Sequence, residues 1–247
     1  MQNAFALVCL LCLWAVNFSP AAEAPDEAAD GQALAATLRA GLPTEDSQTH
    51  GVLKVESPGV SNEVPVVCEV KVLDGTWETI YQIGATTRSG AERLVVIHST
   101  NGPNRYLYAR AAGPAAPLPE ARPLAPGELS TPLAGSDFSL GDLGLDFLHW
   151  PLQRRLHGEM RLGQPCYVLE SGKPSGKPIV RIKSYIDEES GGLLLAEAYD
   201  SEGRLVKEFS LHGSSFKKVN GQWRLEKMEI RDTHRHSRTT LKFDIHP

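Results

Sequence analysis

The chain has 247 residues, 41% of them hydrophobic and 22% charged, with a formal net charge of −5. That length can bury a sizeable core and suits one domain, or one domain with insertions. The mild acidity gives no electrostatic reason for nucleic acid to be a partner, because phosphate backbones are held by clustered Lys and Arg.

The first element is an apolar run from Phe5 to Phe18, too short to span a bilayer comfortably as a helix. Pro20-Ala21-Ala22-Glu23-Ala24 follows, and Ala22-x-Ala24 offers the small residues that a signal peptidase accepts. Residues 1–24 therefore read as a secretory signal peptide, with a mature chain from about Pro25. A retained anchor is the alternative, since no Lys or Arg precedes the run. Cys9 and Cys12 follow Leu7-Val8 and Leu10-Leu11, which does not suit lipid attachment. Removing the leader, with its one acid Glu23, leaves a charge of −4 and no second long apolar run. The mature protein is expected to be soluble.

Residues 25–30 are small and acidic and read as a disordered start. Gly31 to Ala40 is rich in strong helix formers, with Leu34 and Leu38 one turn apart, and Gly41-Leu42-Pro43 ends the helix. From His50 the period changes to two. Val64, Val66, Cys68, Val70 and Val72 share one face of a strand, and Trp77, Thr79, Tyr81 and Ile83 repeat the alternation after Asp74-Gly75. Arg93 to His98 and Arg105 to Arg110 are further strands, separated by Asn101-Gly102-Pro103-Asn104. Short alternating runs bounded by turn residues indicate an antiparallel meander.

Residues 111–132 are dominated by Pro, Ala and Gly, which exclude a central strand or helix interior. Such a linker separates two domains or joins two halves of one sheet across the surface. The second is expected, because neither half alone has enough layers to bury both faces. After it, Ser139 and Asp142 resemble a capping box, and Leu143, Phe147 and Trp150 recur at helical spacing. Leu140, Leu145 and Leu148 widen that apolar surface, while Gly141 and Gly144 weaken the helix. A weak apolar helix stays ordered only when it lies on something, either as a core helix or as a movable lid.

The remaining chain returns to strands. Val180, Ile182, Ser184 and Ile186 alternate with polar neighbours, and the runs 193–199, 204–211 and 222–231 are joined by tight turns, one of them Asn220-Gly221. Leu241 to Ile245 alternates again. The phase shifts from Trp223 and Leu225 to Met228 and Ile230, which predicts a sheet-curving bulge near Glu226-Lys227. About ten strands with hairpin connections make a mainly β fold with short helices: a strongly curved antiparallel sheet or incomplete barrel.

Little in the chain suggests chemistry. Cys68 and Cys166 each lie in a strand-like run, and form either one disulfide, worth roughly 4–5 kcal/mol in the chain-entropy model, or two buried free thiols. No Cys-x-x-Cys occurs after the leader. His234 and His236 flank Arg235, with Asp232 the only further local ligand, and nearby Arg238 adds to the opposition to a divalent cation. His149 falls at the end of the apolar helix, where a cation suits the dipole, and His157 falls at an exposed strand start. No Gly-x-Ser-x-Gly elbow, Gly-Lys-Ser/Thr loop or His-Glu-x-x-His pair appears. No catalytic residue, metal site or cofactor is expected. An incomplete barrel does offer concave apolar surface, and burying an acyl chain there is worth roughly 0.8 kcal/mol per CH2. Phe138, Leu140, Leu143, Phe147, Leu148 and Trp150 are the residues expected to close such a cavity.

Four segments, in order, carry a likeness: Gly135-Ser136-Asp137-Phe138-Ser139, Tyr185-Ile186-Asp187, Ala198 to Lys207 and Trp223 to Asp232. Together they resemble the outer-membrane lipoprotein-sorting proteins (LolA-like and LolB-like), in a divergent branch, over about Ser136 to Ile245. The resemblance implies an eleven-stranded unclosed β-barrel with a helical lid, forming a single lipid-binding domain over residues 25–247. It also implies a periplasmic, non-catalytic carrier of lipid or lipoprotein acyl chains, with an inner-membrane transporter and an outer-membrane acceptor as partners. An accessory module of an envelope transporter, with a filled interior, is the other reading. The Arg that couples strand to lid in that family is assigned to no residue here, and the linker at 111–132 departs from the family's compact pattern.

Overall fold

The structure, a computed structural model, describes residues 26–41, 43–86, 89–99, 102–174, 178–211, 215–219 and 222–245. The expected signal peptide, with Cys9 and Cys12, and the Asn220-Gly221 turn lie outside the described residues.

The acidic stretch expected to be disordered begins a helix instead. Helix α1 spans Glu27–Arg39, and Asp26 Oδ1 caps it by accepting from the Ala28 and Ala29 amides, each at 3.1 Å. Glu27 and Asp30 in the first turn and Arg39 in the last complement the helix dipole.

Strands β1 (Ser47–Ser57), β2 (Val60–Leu73), β3 (Thr76–Ile83), β4 (Glu92–Ser99), β5 (Arg105–Arg110) and β6 (Arg122–Pro123) form one antiparallel meander. A second meander holds β7 (Leu152–Arg161), β8 (Gln164–Gly172), β9 (Arg181–Asp187), β10 (Leu193–Tyr199) and β11 (Leu205–Ser210), then β14 (Lys227–Asp232) and β15 (Ser237–Phe243). Between β11 and β14 the chain makes a separate hairpin of β12 (Phe216–Val219) and β13 (Gln222–Leu225). Pairing of β1 with β15 joins the meanders into one thirteen-stranded sheet, ordered β6-β5-β4-β3-β2-β1-β15-β14-β11-β10-β9-β8-β7.

The sheet does not close, because its two ends, β6 and β7, are not paired with each other. Thirteen strands exceed the eleven implied by resemblance. The phase change near Glu226 is a change of sheet rather than a bulge within one strand: Glu226 donates its amide to Ser215 O and accepts from Phe243 N, both at 2.7 Å, at the junction of β13 and β14. Residues 111–132 include the short edge strand β6, and both halves belong to the same sheet.

Alternation buries one face along most of the sheet, and in β8–β10 the other face is buried too, by Cys166, Val168, Tyr185, Leu194 and Leu195. Leu53, Val64, Val66, Tyr81, Ile83, Leu94, Val96, Tyr106, Met228, Ile230, Leu241 and Phe243 form a first apolar cluster. Leu169, Ile182, Ile186, Ala196 and Ala198 form a second, to which α1 adds Ala35. α1 reaches the sheet through Gly31, where a Cβ would stand 2.5 Å from Arg154 Cα in β7, so helix and strand backbones touch without an intervening side chain. A Gly31→Ala substitution is expected to lower stability by about 1–3 kcal/mol through overpacking. Gly41→Ala, whose Cβ would have only Leu38 O at 3.7 Å, serves as a control within about 0.5 kcal/mol; urea denaturation measures both.

Candidate functional site

The edge strands β6 and β7 lie at opposite ends of the sheet, and residues 124–151 run between them across the apolar face. This lid is not the continuous helix that the spacing predicts. It contains four short 3-10 turns, Pro126–Glu128, Leu133–Gly135, Asp142–Gly144 and Asp146–His149, the last two separated by Leu145 in the left-handed region at φ 50°. The local reason is the fit at Gly144: a Cβ there would stand 2.4 Å from the Tyr106 hydroxyl, so the chain lies flat on β5. Asn104 Nδ2 fixes it by donating to Gly144 O at 2.7 Å.

The expected lid residues divide between the two clusters. Phe138, Leu140 and Leu143, with Leu133, enter the first. Phe147 and Leu148 enter the second, and Trp150 packs at its margin. Phe138 and Leu140 are at most 1% exposed, and Phe138 meets Phe209 edge-on with ring centroids 6.2 Å apart. The lid thus fills the concave face with its own side chains. A void of about 20 Å3 remains at the seam of the two clusters, lined in part by Phe147, Ile182, Phe209 and Ile230; that is room for about one water molecule.

Larger space lies beside the lid. A cleft of about 670 Å3 opens along its flank, with Leu129, Phe147, Trp150, Ile179 and Ile182 supplying apolar wall and Asp142, Asp146, His149 and Lys173 supplying polar groups. This lies within the range of about 300–1,000 Å3 typical of small-molecule sites. A hollow of about 150 Å3 on the other flank is lined by Arg39, Trp77, His98, Leu148 and His149. There Trp77 and His98 stack at 4.6 Å, and burial pushes the His98 imidazole down to about 4. His149, expected at a helix end, sits between the two openings, and burial and the Arg39 charge lower its pKa.

What holds the lid is a buried carboxylate. Asp137 is 2% exposed. Its Oδ1 accepts from Arg235 Nη2 at 2.7 Å and Ser237 Oγ at 2.6 Å, and its Oδ2 accepts from Thr239 Oγ1 at 2.9 Å. Lys207 Nζ donates to Asp137 O at 2.7 Å and to Asp142 Oδ2 at 3.1 Å. Glu92 on β4 fastens the other end, accepting from the Ala134 amide at 2.9 Å and from Tyr108 OH at 2.7 Å. Gln153 Nε2 donates to the carbonyls of Phe147 and Trp150 at 3.0 Å, tying the exit to β7. Arg235, in the turn between β14 and β15, thus ties the sheet to Asp137 in the lid.

The other sequence candidates stand apart from this site. Cys68 and Cys166 are free thiols, not a disulfide. Six strands separate β2 from β8, and the two residues pack in different clusters. Burial pushes the Cys68 thiol up to about 12 and also raises Cys166. Asp232 is committed to its turn, accepting from the His234 and Arg235 amides at 3.0 and 2.8 Å. His157 is exposed on β7. Among the described residues no group of three or more His, Cys, Asp or Glu is placed to hold a metal.

A family model described as "Uncharacterized protein" matches residues 86–245, which include the lid and the second meander. The chain belongs to this family. No curated protein matches the sequence. Among solved structures, a DUF1329-family protein from Desulfovibrio piger is 20% identical, with a TM-score of 0.70, covering 89% of this chain and 92% of that one. A protein domain from Vibrio parahaemolyticus, named for outer-membrane lipoprotein sorting, is 18% identical at TM-score 0.70, covering 88% and 92%. A LolA-superfamily protein from Nitrosomonas europaea is 16% identical at TM-score 0.58, covering 89% and 92%. At these identities the likeness is one of fold: a large, unclosed, LolA-like antiparallel sheet.

Asp137→Ala removes the acceptor for three side chains while leaving Ser237 and Thr239 buried. Stability is expected to fall by about 2–4 kcal/mol, measured by urea denaturation.

Proposed function

We propose that this protein is a non-catalytic periplasmic carrier or binding protein for the acyl chains of lipids or lipoproteins. The observation that carries the reading is the lid itself: a non-sheet segment whose apolar side chains occupy the concave face of an open sheet, beside a cleft of about 670 Å3 with apolar walls. An acyl chain entering the cleft between Trp150 and Ile179 meets Phe147 and Ile182, and continues inward by taking the place of lid side chains. The exchange is of apolar group for apolar group, so the lid's hydrophobic burial is largely replaced by that of the ligand at roughly 25 cal/mol per Å2.

The fold's likeness to LolA-superfamily structures supports this reading, as does the apolar leader at residues 5–18, which as a signal peptide would deliver the chain to the periplasm. As a single lipid-binding domain over residues 25–247 it would collect cargo from an inner-membrane transporter and release it to an outer-membrane acceptor.

A second reading draws on the filled interior, in which only about 20 Å3 is left at the seam. A module that never exchanges its lid would act through its surfaces, as an accessory to an envelope transporter.

The deciding experiment compares wild type with a Phe147→Ser/Trp150→Ser double variant. The carrier reading expects protein purified from its own envelope to retain lipid, with at least a tenfold weaker affinity for a fluorescent fatty acid in the variant. A folded variant with unchanged affinity contradicts it. Wild type that carries no lipid and takes up no fatty acid favours the accessory module.

A further inference from the structure

Two charged side chains on the cleft wall form no ion pair among the described residues. Asp146 Oδ2 accepts a neutral hydrogen bond from Trp150 Nε1 at 3.0 Å. Lys173 Nζ lies 4.2 Å over the centroid of the same indole ring. Trp150 thus stands between a cation on its face and a carboxylate at its edge. Both groups are partly buried, and burial lowers the Lys173 pKa while the Asp146 charge raises it. The neighbouring carboxylate differs: Asp142 is neutralised by Lys207 at 3.1 Å.

The contacts with the indole return only part of the desolvation cost of these two half-buried charges, since neither a cation–π contact nor a neutral hydrogen bond replaces an opposite charge. A ligand bearing both complementary charges would return it. A purely anionic head would gain Lys173 and be repelled by Asp146, and a purely cationic head would meet the reverse.

We infer that the cleft recognises an amphiphile with a zwitterionic head, its phosphate on Lys173 and its ammonium on Asp146, with hydrocarbon along Phe147, Ile179 and Ile182. The inference rests on the acyl-binding reading above and adds the chemical class of the head.

The test is isothermal titration calorimetry of the mature chain with three single-chain lipids below their micelle concentrations: palmitoyl lysophosphatidylethanolamine, palmitoyl lysophosphatidylglycerol and palmitoylglycerol. Phosphoethanolamine, which lacks a tail, is the fourth arm. Wild type is expected to bind the zwitterionic lipid about tenfold more tightly than the anionic one, the size of one charge-assisted contact. Asp146→Asn, which keeps an acceptor for the indole N–H, removes that preference. Lys173→Met, which keeps an apolar stem on the ring, weakens both phospholipids about tenfold and leaves palmitoylglycerol unchanged.

Equal binding of all three lipids, unaltered by either variant, overturns the head-group inference and leaves acyl binding standing. Phosphoethanolamine binding as tightly as the lysolipid overturns the lipid source in favour of a soluble phosphate ester. Binding of no probe at all overturns both this inference and the carrier reading.

Discussion

An open sheet whose two edge strands follow one another in the chain forces the segment between them across one face. Here β6 and β7 are those edges, and the crossing segment runs over the apolar side. Its position is therefore a consequence of topology, and its composition follows: a segment laid on exposed Leu, Val and Ile must itself be apolar to keep water out. Leu133, Phe138, Leu140, Leu143, Phe147 and Leu148 meet that demand. The sheet needs the lid as much as the lid needs the sheet.

The same segment is the least self-sufficient part of the fold. It has no α-helical ladder, and Ala134 and Leu145 both adopt φ 50° without being glycine, at a cost of about 1–2 kcal/mol each. Its order is borrowed from a few polar fastenings, with Asp137 at the middle, Glu92 at the entry and Gln153 at the exit. Elements of this kind open below the global unfolding free energy. A closed interior and a capacity to accept a ligand are then compatible, since the closed state is the one in which the protein serves as its own ligand.

Much of the sheet was legible because period-two alternation survives in any sequence that buries one face. The runs through Val64–Val72, Trp77–Ile83 and Val180–Ile186 fall within β2, β3 and, but for Val180, β9. Helix α1 begins ahead of Gly31, where the run of helix formers starts, because Asp26, Glu27 and Asp30 act as cap and dipole partners and not as a merely acidic stretch. The apolar stripe of the lid was visible, but its geometry was not: the approach of Gly144 to Tyr106 and the turn at Leu145 are tertiary facts. Asp137 sat in the Gly-Ser-Asp-Phe-Ser segment without a role, because the groups that hold it, Lys207, Arg235, Ser237 and Thr239, lie 70 to 102 residues further on. Lys173, in a breaker-rich stretch, gave no pattern at all.

The central claim is that the lid leaves the concave face to an acyl chain while the sheet stays folded. Amide hydrogen exchange with and without palmitate tests it most directly, read at Leu133 and Leu140, whose amides bond Phe138 O and Thr131 O within the lid at 2.9 and 3.0 Å. The account predicts faster exchange at these two amides when palmitate is bound, with the β1–β2 and β14–β15 amides still protected. Lid amides that exchange only with the whole sheet, at a rate indifferent to palmitate, would contradict it.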